Sequence, residues 1–298
     1  MTRPALTLRA VWPPPPGAPE RQRRQGIALV LLAALLWSSN AMFVKLLALE
    51  PLPLAALRCA VAGLALAPFI RPAAIRWSWA LPALALCLTL NNLFFVAGNK
   101  WTTAANVIAL QSAAPAWVFL GGCLLARRFP LRQLPPLALI LAGVLALLQE
   151  PAHGSSELGN LLGLLSGVAF AGTTLIVPHV RAPVLSLAAL ANLGAAAILF
   201  LLDPWAFHLT QVTASQWLIL AYVGVFQIGL PYVCYAAALR RIPPSQVQIL
   251  TLLEPLLNPV WVFFALGEAP SGYGWAGGAF ILAGILTDSW LRMRPPSR

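Results

Sequence analysis

Glu254 stands directly before Pro255 in LTLLEPLLNPVWVFFALGE, residues 250–268, and Asn258 directly before Pro259. A carboxylate set in so apolar a run can hold an ammonium group or a proton. Each proline removes a backbone donor and frees a carbonyl about one turn earlier, which adds acceptors at the same depth. At 100° per residue, Thr251, Asn258 and Trp261 fall within about 60° of Glu254, so these groups form one stripe. Other apolar runs are interrupted in the same way, by Trp37, Ser38, Ser39 and Asn40, and by the adjacent pair Asn91 and Asn92. Gln111 and Trp117 interrupt a third, and Gln227, Tyr232 and Tyr235 a fourth. Such residues bind a small polar solute through hydrogen bonds and charge.

Bond-breaking chemistry is not indicated. His153, His179 and His208 lie at or beyond the ends of apolar runs, with no HExxH spacing, no Ser-His-Asp set at one depth and no glycine-rich phosphate loop. No metal-ligand set and no cofactor fingerprint stand out, so neither a metal nor a cofactor is expected. The absence of a nucleotide-binding segment excludes ATP-driven work by this chain.

The elements that must position these residues follow from composition. The chain is 60% hydrophobic and 9% charged, whereas a soluble domain carries roughly a quarter charged residues. Ten runs reach about the 20 residues that a spanning helix needs: 26–48, 52–70, 79–98, 102–126, 133–149, 158–179, 183–202, 214–239, 244–266 and 271–291. Between them lie the breakers EPLP, RPAAIR, RRFPLR, PAHGSSE, DPW, RRIPP and GEAPSG. A strand reading fails, because the runs are too long and lack period-2 alternation. Residues 1–25 and 292–298 read as basic tails, the first disordered and without a signal-peptide core. Cys59, Cys87, Cys123 and Cys234 all lie inside apolar runs, where cysteine behaves as a small hydrophobe.

The net charge of +11 could suggest nucleic acid, but the basic residues sit in short clusters between apolar runs. With the amino terminus in the cytoplasm, the inside loops hold Arg71, Arg76, Arg127, Arg128, Arg132, Arg181, Arg240 and Arg241, and the tails hold the remaining loop arginines. Lys100 alone lies in an outside loop, where Glu50, Glu150, Glu157, Asp203 and Glu268 gather. This is the positive-inside pattern. It predicts ten helices, both termini cytoplasmic, and the lipid bilayer rather than nucleic acid as partner.

The two halves also resemble one another. ALILAGVLALL (138–148) matches AFILAGILTDS (279–289), placing Gly143 on Gly284. At an offset of 140, Lys100 falls on Arg240, Gln111 on Thr251, Ala114 on Glu254 and Pro115 on Pro255; Gly26 falls on Gly159 and Trp37 on Phe170. Five helices per half is an odd number, so the halves must enter the membrane in opposite senses. Inverted repeats imply an axis in the membrane plane and two conformations of similar energy.

LLAALLWSSNAMFVK (31–45), the arginine of ALRCAVAGLALAP (56–68), NKWTTAANVIALQSAAPAWVFLGGCLL (99–125) and LLEPLLNPVWVFFALGEAPSGYGWAGGAFILAGIL (252–286) resemble the EamA-type repeat of the drug/metabolite transporter superfamily. The resemblance covers about residues 26–290. It implies an all-α membrane protein of ten transmembrane helices in two inverted five-helix repeats, 26–149 and 158–291. It also implies a central cavity and movement of small polar metabolites, often export of amino acids. One departure concerns the Gly-Glu pair ending the fourth helix of each repeat: it stands as Gly267-Glu268 but is replaced by Arg127-Arg128 in the first half.

These features together predict a secondary transporter exporting small amphipathic metabolites, favouring aromatic or neutral amino acids, by alternating access in a bacterial-type plasma (inner) membrane. Efflux of drugs or other metabolites is the alternative substrate class, and a receptor or scaffold the alternative of a different kind. The expected site is built from Trp37, Ser38, Asn40, Asn91, Asn92, Gln111, Trp117, Gln227, Tyr232, Tyr235, Thr251, Glu254 and Asn258. For Glu254 two readings stand side by side, a substrate-facing carboxylate and a buried one that ties helices together. Lys45 and Arg58 lie within about two turns of the outer surface, where long side chains reach water; if either reaches the cavity instead, it suits a substrate carboxylate. Oligomeric state is left open.

Overall fold

The computed structural model describes residues 20–149, 156–204, 212–257, 261 and 272–293. Among them every regular element is helical. The helices are α1 (Glu20–Trp37), α2 (Asn40–Leu46), α3 (Pro51–Leu66), α4 (Ala80–Trp101), α5 (Ala104–Gln111), α6 (Ala114–Ala126), α7 (Leu134–Leu147), α8 (Glu157–Ile176), α9 (Val184–Leu202), α10 (Ala214–Tyr222), α11 (Leu230–Leu239), α12 (Pro244–Leu250) and α13 (Gly272–Met293). Taken with their continuations, 7 stretches are long and apolar enough to cross a membrane, and Leu131–Leu147 is a shorter apolar helix. The outward side chains are apolar too: Leu124, Leu201 and Leu218 are 80%, 78% and 74% exposed. Only hydrocarbon accommodates so much exposed leucine.

Local chemistry sets the helix ends. Thr103 and Ser156 accept hydrogen bonds from the backbone N–H of Asn106 and Gly159, capping α5 and α8. Thr213 and Gln216 form a reciprocal capping box on α10. Among the described residues α1 already includes Glu20, ahead of the apolar run that starts at 26, and Glu20 pairs along it with Arg23 and Arg24 one turn on. Arg127 closes α6 with φ 47°, a left-handed position that glycine normally occupies.

Three of the apolar runs are broken near mid-length. The first turns at Ser38 and Ser39 between α1 and α2. The fourth turns at Ser112 and Ala113, where Pro115 cannot donate to Gln111. The ninth turns at Thr251 and Leu252, and helix resumes over 253–257 with Pro255 in the same place. A stripe computed for one unbroken helix is therefore only partly kept: Thr251 and Glu254 still share a cavity, while Asn258 lies outside the described residues. The eighth run instead carries a π-helical segment, Val223–Gly229, between α10 and α11, a feature that often marks a functional stretch.

Close packing joins α4 to α8, α3 to α9, α1 to α11 and α7 to α13. Small residues permit it. A methyl group on Gly163 would stand 3.1 Å from the Val107 Cα, and one on Gly167 3.1 Å from the Gln111 carbonyl oxygen. Helices α7 and α13 run antiparallel. Pro136 lies by Gly284, Gly143 by Ile281, and Leu147 by Gly277, so one number falls as the other rises.

Polar contacts sort the helix ends into two groups. At one end the Arg76 N–H donates to the Arg181 carbonyl at 2.9 Å, and the Arg71 N–H to Ser186 Oγ at 3.0 Å. Arg240 donates there to the Val180 and Ala182 carbonyls, and Arg132 to the Leu291 carbonyl. Burial and the neighbouring Arg241 hold the Arg240 guanidinium below its ordinary pKa. At the other end Lys45 donates to the Thr102 carbonyl at 2.9 Å and Lys100 to that of Leu47. Thr102 Oγ1 donates there to Asn160 Oδ1 at 2.9 Å.

Candidate functional site

The breaks in the first, fourth and ninth runs converge, with α4 and the π-helical segment, on a cavity of about 350 Å³. Trp37, Asn40, Asn91, Asn92, Gln111, Tyr232 and Glu254 line it, all of them expected from sequence, and Phe95, Phe170 and Ile228 complete it. Asn91 is eleven residues from Ala80 and ten from Trp101, the ends of α4. At 1.5 Å per residue that is about 16 Å from either end, which is mid-depth. A second cavity of about 250 Å³ shares Gln111, Phe170 and Glu254 and adds Thr251 and Gln248.

A relay of amides forms one wall. Gln111 Nε2 donates to Asn91 Oδ1 at 3.0 Å, and Asn91 Nδ2 donates to the Tyr232 hydroxyl at 2.8 Å. This order leaves the Gln111 oxygen free to accept and the Tyr232 proton free to donate. Asn92 Nδ2 donates to the Leu88 carbonyl at 3.0 Å, so its oxygen also remains for a guest. Glu254 is buried, and its carboxylate accepts no hydrogen bond from the described residues. A carboxylate that tied helices together would show such partners.

Aromatic rings form the other wall. Trp37 meets Phe170 edge-on with centroids 5.6 Å apart and Tyr232 at 5.3 Å, while Phe170 stacks on Tyr235 at 5.2 Å. Tyr235 belongs to the layer behind, with its hydroxyl 2.7 Å from Gln248 Oε1 and 2.6 Å from Thr174 Oγ1. Ser38 accepts from Trp261 Nε1 at 2.7 Å and donates to the Leu35 carbonyl, and Ser39 accepts from Gln227 Nε2 at 2.8 Å. Ser38 and Gln227 therefore brace the broken first helix and do not line the cavity. Trp117 lines neither cavity.

Sequence reasoning missed Phe95 and Phe170, and it left Arg58 between the outer surface and the cavity. Phe170 was legible as the repeat mate of Trp37, and Phe95 carried no polar signal. Arg58 does not reach water: it is 1% exposed and bonded to Asn40. The break after Ser39 turns Asn40 inward beside α3.

A membrane-embedded cavity with opposed polar and aromatic walls suits reversible capture of a solute. Residues 24–149 and 157–288 each match the EamA-like transporter family. The chain belongs to that family. Among relatives of the EamA-like chain, an uncharacterized transporter from Archaeoglobus fulgidus is 27% identical over 269 residues, covering 89% of this chain and 97% of its own. An uncharacterized transporter from Bacillus subtilis, YwfM, is 30% identical over 277 residues, covering 87% and 92%. One solved crystal structure shares the fold with a TM-score of 0.76 at 21% identity, covering 92% of this chain and 99% of that one. This EamA-like protein is a multi-pass membrane transporter and not an enzyme.

Proposed function

We propose that the protein exports small amphipathic metabolites, foremost neutral or aromatic amino acids, by alternating access around the mid-depth cavity. The observation that carries this reading is the lining itself: an unpaired carboxyl group, amides with spare hydrogen-bonding capacity and aromatic rings line one cavity. The proposed site is Trp37, Asn40, Asn91, Asn92, Gln111, Tyr232 and Glu254, with Thr251 in the adjoining cavity; Ser38, Gln227 and Tyr235 support it from behind, Trp117 lines neither cavity, and Asn258 lies outside the described residues.

The architecture in this reading is ten helices in two inverted halves, 26–149 and 158–291, with cytoplasmic basic tails. Exchanging the halves maps the packing onto itself: α4 on α8 becomes α11 on α1, while α3–α9 and α7–α13 map to themselves. Gly143 meets Ile281, and its mate Gly284 meets Ile140. Gly159 abuts Trp101 and Thr102, and its mate Gly26 abuts Arg241 and Ile242, the mates of those two. Lys100 on the Leu47 carbonyl repeats as Arg240 on that of Val180. The gathering of arginine-rich loops at one end is what a cytoplasmic face of a bacterial-type plasma membrane requires.

Uptake of labelled amino acids into proteoliposomes, with and without a pH gradient, tests the proposal. Flux of neutral amino acids is expected. Absence of flux for every amino acid would sink the substrate assignment, and flux indifferent to the gradient would make the protein a facilitator.

A further inference from the structure

Arg58 lies inside the bundle on α3, and its guanidinium is nearly unsatisfied. One nitrogen donates to Asn40 Oδ1 at 2.7 Å. Nε and the other terminal nitrogen have no partner, and the side chain is 1% exposed. It forms no ion pair with a described residue. A guanidinium carries five donors and cannot discharge itself by losing a proton, and burying it without a counterion is costly. In transmembrane segments such a charge marks a solute or ion pathway by default.

Its position gives the charge a purpose. Asn40 lines the 350 Å³ cavity. Arg58 thus stands one side chain behind the lining. Its bond to Asn40 also orients that amide: the oxygen is engaged from behind, so the two N–H donors are left for the cavity. Glu254 lines the same cavity. The space therefore has a donor wall backed by a cation and, in Glu254, a carboxyl group.

We propose that Asn40 and Arg58 form the subsite for a carboxylate of the transported solute, whose ammonium group is met by Glu254. The inference rests on the transport reading above and deepens it, because it makes a zwitterion the preferred guest. The solute's carboxylate accepts from the Asn40 amide N–H groups and supplies, across that amide, the negative charge that the buried guanidinium lacks. Inorganic phosphate fits less well, since it offers no ammonium group for Glu254 to meet.

The test is thermal melting of the purified full-length protein with phenylalanine and leucine. Each is compared with its primary amide, its decarboxylated amine and its deaminated acid, and inorganic phosphate is run alongside. Affinities come from the dependence of the melt on ligand concentration. The amino acid is expected to bind roughly 10- to 100-fold more tightly than its amide, the range of a charge-assisted hydrogen bond. In Arg58→Gln that advantage disappears while amide affinity is unchanged. Where Arg58→Gln does not fold, Asn40→Asp carries the test. Its carboxylate gives Arg58 an internal counterion, so the melt holds or rises while the advantage of the acid is lost.

A folded variant that keeps the native acid-to-amide ratio overturns the proposal, as does a native protein stabilised by no carboxylate. Phosphate binding as tightly as the acid, and dependent on Arg58, assigns the subsite to phosphate and overturns it too. Flux separates this inference from the reading beneath it. If deaminated acids bind through Arg58 but no amino acid is transported, the substrate assignment fails and the carboxylate subsite stands. If amino acids are transported and both variants keep the ratio, the reverse holds.

Discussion

The fourth and ninth runs break alike and differ in chemistry. In the fourth, α5 stops at Gln111 and α6 begins at Ala114-Pro115; in the ninth, α12 stops at Leu250 and helix resumes over 253–257 with Glu254-Pro255. The proline sets the break in both, because the missing donor frees a carbonyl whatever the neighbouring side chain. The residue before it differs. Ala114 is 1% exposed within the main apolar cluster, whereas Glu254 lines both polar cavities. Backbone geometry is thus repeated at the two breaks, while the carboxylate is present at only one of them.

The sharpest way to break this comparison is to add the missing carboxylate. Ala114→Glu is expected to lower stability by about 3 kcal/mol or more, since it buries a charge away from the cavity. A melting temperature equal to the native one would mean that position 114 also faces the solute. Glu254→Gln, by contrast, should reduce amino-acid flux at least tenfold with little change in melting. Native kinetics in that variant would return Glu254 to a packing role.

Two smaller tests sharpen the symmetry. Gly143→Ala puts a methyl group 2.7 Å from Ile281 Cγ1, and Gly284→Ala puts one 2.7 Å from Ile140 Cγ1. Overpacking of this kind costs about 1–3 kcal/mol, and the two losses in melting stability should match to within about 0.5 kcal/mol. Unequal losses would show that the α7–α13 contact is not shared evenly. The smallest effect belongs to Arg127, whose φ of 47° strains any residue with a Cβ by about 1 kcal/mol. Arg127→Gly should raise the melting temperature slightly, and a drop would show that its side chain holds α6 in place.

The sequence was most informative where chemistry and environment conflict. Glu254, Asn91, Asn92 and Gln111 are polar groups in apolar runs, and hydrocarbon tolerates none of them. They had to turn inward, and α4, α5 and the ninth run bring them to one cavity. Ser38 and Gln227 carried the same signal but brace the backbone at the first break, since a polar residue inside a bundle can satisfy another protein group as readily as a solute.

Apolar periodicity and loop charge by themselves determined that this chain is helical and membrane-embedded, because both report on water and lipid, which every residue meets separately. The tertiary structure alone decided that Trp37 touches its own repeat mate Phe170, and that Arg58 sits behind Asn40 without a counterion. Those contacts depend on how α1, α3, α8 and the π-helical segment pack around breaks in the backbone. A one-residue change in where Ser38 and Ser39 turn the first helix would rotate Asn40 by about 100°, and no local pattern records that angle.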